Sequence, residues 1–88
     1  MINKTLVIVN RLGLHARAAS RFVAATSAFS CQIDVTYGDH TIDGKSIMSV
    51  MMLAAGQGSE LHITFNGIDE QHACESISQL VENGFGEE

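Results

Sequence analysis

Two stretches of the chain alternate between apolar and polar side chains. In CQIDVTY, residues 31–37, Cys31, Ile33, Val35 and Tyr37 point one way and Gln32, Asp34 and Thr36 the other. In LHITF, residues 61–65, Leu61, Ile63 and Phe65 share one face. A period of two predicts half-buried strands. LVIVN, after Lys4 and Thr5, does not alternate, but it is short, β-branched and apolar, and it predicts a buried strand. HTID follows the turn signal Gly38-Asp39 and predicts a short returning strand, broken by Asp43-Gly44.

Between the strands the spacing turns helical. Arg11 to Leu14 is a loop punctuated by Gly13. From Ala16 to about Ala28, the residues Ala16, Ala19, Phe22 and Val23 fall on one face, and Arg17 and Arg21 on another. Ser46 is placed to cap a short helix, IMSVMMLAA, that ends near Gly56. A last helix is predicted from about Glu70 to Asn83, with Asp69 as N-cap, Gly84 as C-cap and a stripe of Ala73, Ile77, Leu80 and Val81. The order β-α-β-β-α-β-α, with alternating strands, predicts an α+β fold of two layers: helices on one face of a mainly antiparallel sheet. Pattern alone leaves the strand order open. At 88 residues, without repeat, proline or linker-like stretch, residues 1–88 read as one domain.

Composition narrows the functional classes. Hydrophobic residues make up 45% and charged residues 17%, which is not a disordered composition. No apolar run approaches the roughly 20 residues of a membrane span, so no membrane insertion is expected. No basic segment followed by an apolar one opens the chain, which argues for a cytoplasmic protein. A net charge of -5 without any lysine or arginine block disfavours nucleic-acid binding. Part of that acidity is local, with Asp69, Glu70, Glu75, Glu82, Glu87 and Glu88 in the last quarter. Cys31 and Cys74 are too few for a disulfide framework or a zinc motif, and both fall on expected core faces as reduced thiols.

Gly44-Lys45-Ser46 resembles the end of a phosphate loop, but Asp39 stands where that motif needs its first glycine. A turn followed by a serine cap is enough. His15, His40, His62 and His72 match no metal-ligand spacing. The helix IMSVMML is apolar nearly all round. Ile47, Val50 and Met51 lie on one side and Met48 and Met52 on another. One short helix cannot bury every face, so its methionines either fill core gaps or present a docking surface, with Met48 the better candidate for exposure.

The stretch NRLGLHARAASRF sets His15 at the joint between an extended segment and a small-residue helix, two residues before Arg17. It is either a solvated loop histidine or a nucleophile held at a helix mouth. There, unsatisfied N–H groups and the positive end of the helix dipole disfavour a protonated ring and welcome an anion. A neutral imidazole is a nucleophile near pH 7, and a phosphoryl group on it would find helix amides and Arg17 to receive its charge.

GLHARAA resembles the active-site signature of the histidine-containing phosphocarrier protein family of the bacterial phosphoenolpyruvate-dependent phosphotransferase system. GKSIMSVMMLAAGQGSELHI resembles the same family's regulatory segment, and the resemblance extends over essentially the whole chain. It implies an open-faced sandwich of three helices over a four-stranded antiparallel sheet of order 1-4-2-3. It implies that His15 takes a phosphoryl group on Nδ1 from enzyme I and passes it to enzyme IIA domains in sugar transport, with Arg17 steadying the group. It implies that Ser46 matches the serine phosphorylated in many members by a dedicated HPr kinase/phosphorylase. A simple helix cap remains the alternative for that residue. Phosphate at Ser46 would add negative charge beside Met48 without rearranging the fold.

The expected docking surface comprises Ala16, Ser20, Ile47, Met48 and Met51 around His15 and Arg17, with no metal or cofactor, and a monomer suits a two-partner relay. Ala18 stands where the family usually has proline. Proline fits a first helical turn, but alanine is also a good helix former. Three other functions compete: a nitrogen-branch regulatory carrier, to which the acidic NGFGEE end leans; an interaction module that carries no phosphate; and a small metal-binding domain.

Overall fold

The two alternating segments lie side by side. The computed structural model describes residues 1–87. In it, Gln32–Tyr37 (β2) and Glu60–Asn66 (β4) pair antiparallel, with Ile33 opposite Phe65 and Val35 opposite Ile63. All four are buried, while Gln32 and His62 on the other face are exposed. His40–Asp43 (β3) returns along β2, placing Ile42 opposite Val35. Ile2–Val7 (β1) flanks β4 on its other side, with Leu6 opposite Leu61. The sheet order is therefore β1-β4-β2-β3, all antiparallel. The open face is polar and wet; the other face carries the helices and the core.

The first strand runs over residues 2–7 rather than the expected 6–10. At this sheet edge Asn3, Lys4 and Thr5 are all exposed, so the early half of the strand has no apolar signature. Past Val7, Ile8 still donates to Ser59 (2.9 Å) and accepts from Gly58 (2.7 Å) before the chain turns away.

Ala16–Thr26 (α1) buries Ala18, Ala19, Phe22 and Thr26. Its packed stripe is thus rotated from the expected one: Ala16 is exposed and Val23 only half-buried. Ile47–Met52 (α2) starts at Ser46, whose Oγ accepts from the Ser49 N–H at 3.4 Å. It stops short of Gly56 because Leu53 and Ala54 bond three residues back and Ala54 then enters the left-handed region at φ 51°. Val50 is its one buried residue.

Glu70–Glu82 (α3) covers the β1–β4 side. Asp69 stands at its N-cap position as expected, its carbonyl accepting from the Ala73 N–H (3.0 Å), but its side chain does not cap the helix. Its two carboxylate oxygens accept instead from the backbone N–H groups of Ser30 (2.8 Å) and Cys31 (2.9 Å), a bond from the start of α3 to the entrance of β2. Those N–H donors hold the Asp69 carboxyl below its ordinary range. Cys31 is buried as expected, and burial pushes its thiol up; Cys74, at the margin of the α3 stripe, is only half-buried. After Asn83, Gly84 takes φ 63° and leads into a single 3-10 turn, Gly84–Gly86.

Candidate functional site at the mouth of the first helix

The site begins with Asn10, which is 1% exposed. Its amide nitrogen donates to the Gly13 carbonyl (2.8 Å) and to Glu87 Oε1 (2.8 Å). Asn10 Oδ1 is buried without a partner among the described residues. The loop from Asn10 to His15 is pinned on its other side by the Leu14 N–H, which donates to the Ala55 carbonyl (2.9 Å). These bonds fix the backbone that presents His15.

His15 is extended, at φ -69° and ψ 175°, and stands at the N-cap position of α1. Its carbonyl accepts the first helical bond, from Ala19 (2.8 Å), while its side chain does not cap the helix. The ring is half-buried, and its Nε2 lies 2.6 Å from Glu87 Oε1. An ionised carboxylate only accepts, so Nε2 carries the hydrogen and, in the neutral ring, Nδ1 carries the lone pair. Nδ1 has no hydrogen-bond partner among the described residues. The Glu87 carboxyl is held below its usual range, chiefly by the hydrogen bond from His15 and next by that from Asn10.

Glu87 arrives from the other end of the chain on a fastened turn. Phe85 is 1% exposed and adopts φ 58°, which buries its ring and turns its carbonyl to accept from the Arg21 guanidinium. The Glu87 N–H then bonds to the Gly84 carbonyl at 3.1 Å.

Arg17 lies in the first turn of α1, exposed, with no hydrogen bond or ion pair among the described residues. The two arginines of α1 therefore differ: Arg21 is committed to the C-terminal turn, and Arg17 has no such bond to any described residue. Ala16 and Ser20 are exposed on the same helix. Because α1 packs against α2, the exposed Ile47, Met48, Met51 and Met52 form an apolar surface beside it, more open than the sequence pattern requires. Ser46 is half-buried at the start of α2, whereas the His15 loop is bonded to residues past its end. The two are thus set at opposite ends of a six-residue helix, on the order of 9 Å along its axis.

Ala18 is fully buried and precedes Ala19, the first residue whose N–H bonds within the helix. The helix therefore has no use for the Ala18 N–H, and proline's usual place here is open to alanine at no cost in helical bonds. The other histidines stand apart. His40, His62 and His72 are exposed, His62 shares a hydrogen bond with Thr5 Oγ1 (2.9 Å), and the described residues contain no group able to hold a metal ion. An open groove lined by Tyr37, Asp39, His40 and Met52 lies between the β2–β3 turn and α2 and includes neither His15 nor Glu87. Sequence reasoning missed Asn10, Arg21 and Glu87 as parts of the site. The signal was limited to an acidic tail, since the Glu87–His15 contact spans 72 positions.

Fold and site together define a class: a small α+β protein that offers one imidazole nitrogen at a helix mouth, with a carboxylate fastened to the other. The sequence also matches the family model described as the PTS HPr component phosphorylation site, over residues 2–83. The phosphocarrier protein HPr of Pseudomonas putida is 45% identical over 85 residues, covering 96% of this chain and 94% of that protein. The crystal structure of HPr-C-His from Thermoanaerobacter tengcongensis superposes with a TM-score of 0.96 at 41% identity, covering 100% of this chain and 99% of that one. A structure described as an HPr dimer from the same organism matches at 0.79 and 40% identity, covering 99% of this chain and 100% of that one. This chain belongs to the HPr family of phosphocarrier proteins.

Proposed function

We propose that this protein takes a phosphoryl group on His15 Nδ1 from enzyme I of the phosphoenolpyruvate-dependent phosphotransferase system and passes it to enzyme IIA domains. The observation that carries the proposal is the division of labour on the His15 ring. Nε2 is occupied by Glu87, while Nδ1 has no partner among the described residues and stands at the positive end of α1. An arriving phosphoryl group would meet the first-turn N–H groups and the uncommitted guanidinium of Arg17.

The protein acts as a substrate of its partners and supplies no catalyst of its own. Ala16, Ser20, Ile47, Met48 and Met51 form the docking surface, exposed around the same end of α1 and along α2. An adaptable methionine surface of moderate size suits successive partners that must each be released. The working form is a cytoplasmic monomer in sugar transport. Phosphorylation of Ser46 by HPr kinase/phosphorylase regulates it. Charge added there stands beside Ile47 and Met48 and weakens docking of an acidic partner face, leaving the His15 loop intact.

Intact mass after incubation with phosphoenolpyruvate and enzyme I, drawn in separate arms from the sugar and nitrogen branches, tests the proposal. One acid-labile phosphate on the wild type and none on His15→Ala is expected. No phosphate from either enzyme I would leave a binding module centred on Met48.

A further inference from the structure

We infer that Glu87 is the positioning residue of His15: it holds the ring with its proton on Nε2 and stays in place as counter-charge to the imidazolium that phosphoryl transfer creates. The inference rests on the carrier role proposed above for His15. Its geometric basis is the 2.6 Å contact from Nε2 to Oε1, together with the second donor, Asn10 Nδ2, on the same oxygen. Phe85 in the core and Arg21 on its carbonyl keep the turn that carries Glu87 from drifting. The cationic and titratable groups facing Glu87 are His15 from the N-cap of α1 and Arg21 from its second turn.

The chemistry balances without any added proton carrier. The Nδ1 lone pair forms the new N–P bond as the donor's own bond to phosphorus breaks, and that bond's electron pair leaves with the donor group. The His15 ring becomes cationic and keeps its proton on Nε2, where the carboxylate already sits. On transfer to the acceptor, the N–P pair returns to Nδ1 and a neutral ring with Nε2–H is left. The hydrogen bond is neutral-to-anion before transfer and cation-to-anion after it, and the latter is the stronger kind. Glu87 therefore favours the phosphorylated state and the step that leads to it.

Two full-length variants separate the two roles. Glu87→Gln keeps an acceptor oxygen for Nε2–H and loses the charge; Glu87→Ala loses both. The tautomer is read without any partner, from the 15N shifts of the neutral His15 ring. Transfer is read as the rate of phosphorylation by phosphoenolpyruvate and enzyme I. The wild type is expected to show the Nε2–H tautomer alone. Glu87→Gln should keep that tautomer and slow transfer by about tenfold, the worth of one charge-assisted hydrogen bond over a neutral one. Glu87→Ala should show mixed tautomers and transfer at least as slow. Mixed tautomers in the wild type, or wild-type tautomer and rate in Glu87→Ala, would overturn the inference. A locked tautomer in a wild type that accepts no phosphate would instead overturn the carrier role and the counter-charge with it, while the positioning stands.

Discussion

A methyl group added to Gly13 would lie 2.5 Å from the Ala55 carbonyl oxygen and 2.7 Å from the Gly56 Cα, both backbone atoms. The residue also sits at φ 66°, where an L side chain is strained. Glycine here allows the loop to lie flat on the segment after α2, and that contact sets where His15 stands two residues on. Gly13→Ala should therefore cost about 2 kcal/mol or more, combining the left-handed penalty with the displaced Leu14–Ala55 bond. Urea denaturation gives the cost directly. The same variant should be phosphorylated more slowly even at temperatures where it is fully folded, because the loop that presents His15 has moved. An unchanged midpoint would mean that the Ala55–Gly56 backbone yields freely.

Among the elements, α2 has the narrowest hold on the fold. One residue, Val50, is buried at 1% exposure, against 66% for Met48 and 79% for Met52. Removing two buried methyl groups in Val50→Ala should cost about 2 kcal/mol. Met48→Ala should change stability by no more than about 0.5 kcal/mol, while weakening the complex with enzyme I. Calorimetry of folding and of binding on the two variants separates the roles. A Met48→Ala protein that loses stability but binds normally would return that methionine to the core. The same element shows what a sequence conceals. β2 and β4 are legible because water wets one face and apolar packing covers the other, which writes a period of two into the side chains. In α2 both faces are apolar, so pattern could not tell core from exposed surface, and its end at Met52 depends on Ala54 adopting a left-handed conformation that alanine does not advertise. For α1 the helix was legible but not its rotation, since Ala16, Ala18 and Ala19 are chemically alike and tertiary packing alone chooses among them. His15 and Arg17 could be singled out locally. Glu87 and Asn10 could not, because nothing near either names a partner 72 or 77 positions away.

At the scale of the whole molecule, three carboxylates fasten segments that are remote in sequence. Asp69 ties α3 to residues 30 and 31, Glu70 pairs with the Met1 ammonium at 2.8 Å, and Glu87 joins the C-terminal turn to His15 and Asn10. Both cysteines are free thiols, so none of these ties is covalent. Each carboxyl is held below its ordinary value: Asp69 first by the Ser30 N–H, Glu70 first by the N-terminal ammonium, Glu87 first by His15. A depressed folded value means that the unfolded chain takes up protons first as pH falls. Each tie therefore contributes in full above the unfolded carboxylate range of about 4 and is lost as pH drops through the lower folded value. The urea midpoint should stay level from pH 7 to about 5 as far as these groups decide it, and then fall steadily toward pH 2.5. Asp69→Asn isolates one contribution. An amide has one oxygen where two backbone N–H groups converge, so its NH2 must face a donor. The variant should be less stable than wild type at pH 7, and the gap should narrow in acid, where the wild-type carboxyl is itself protonated. A gap that stayed constant down to pH 2.5 would show that Asp69 acts by shape and not by charge.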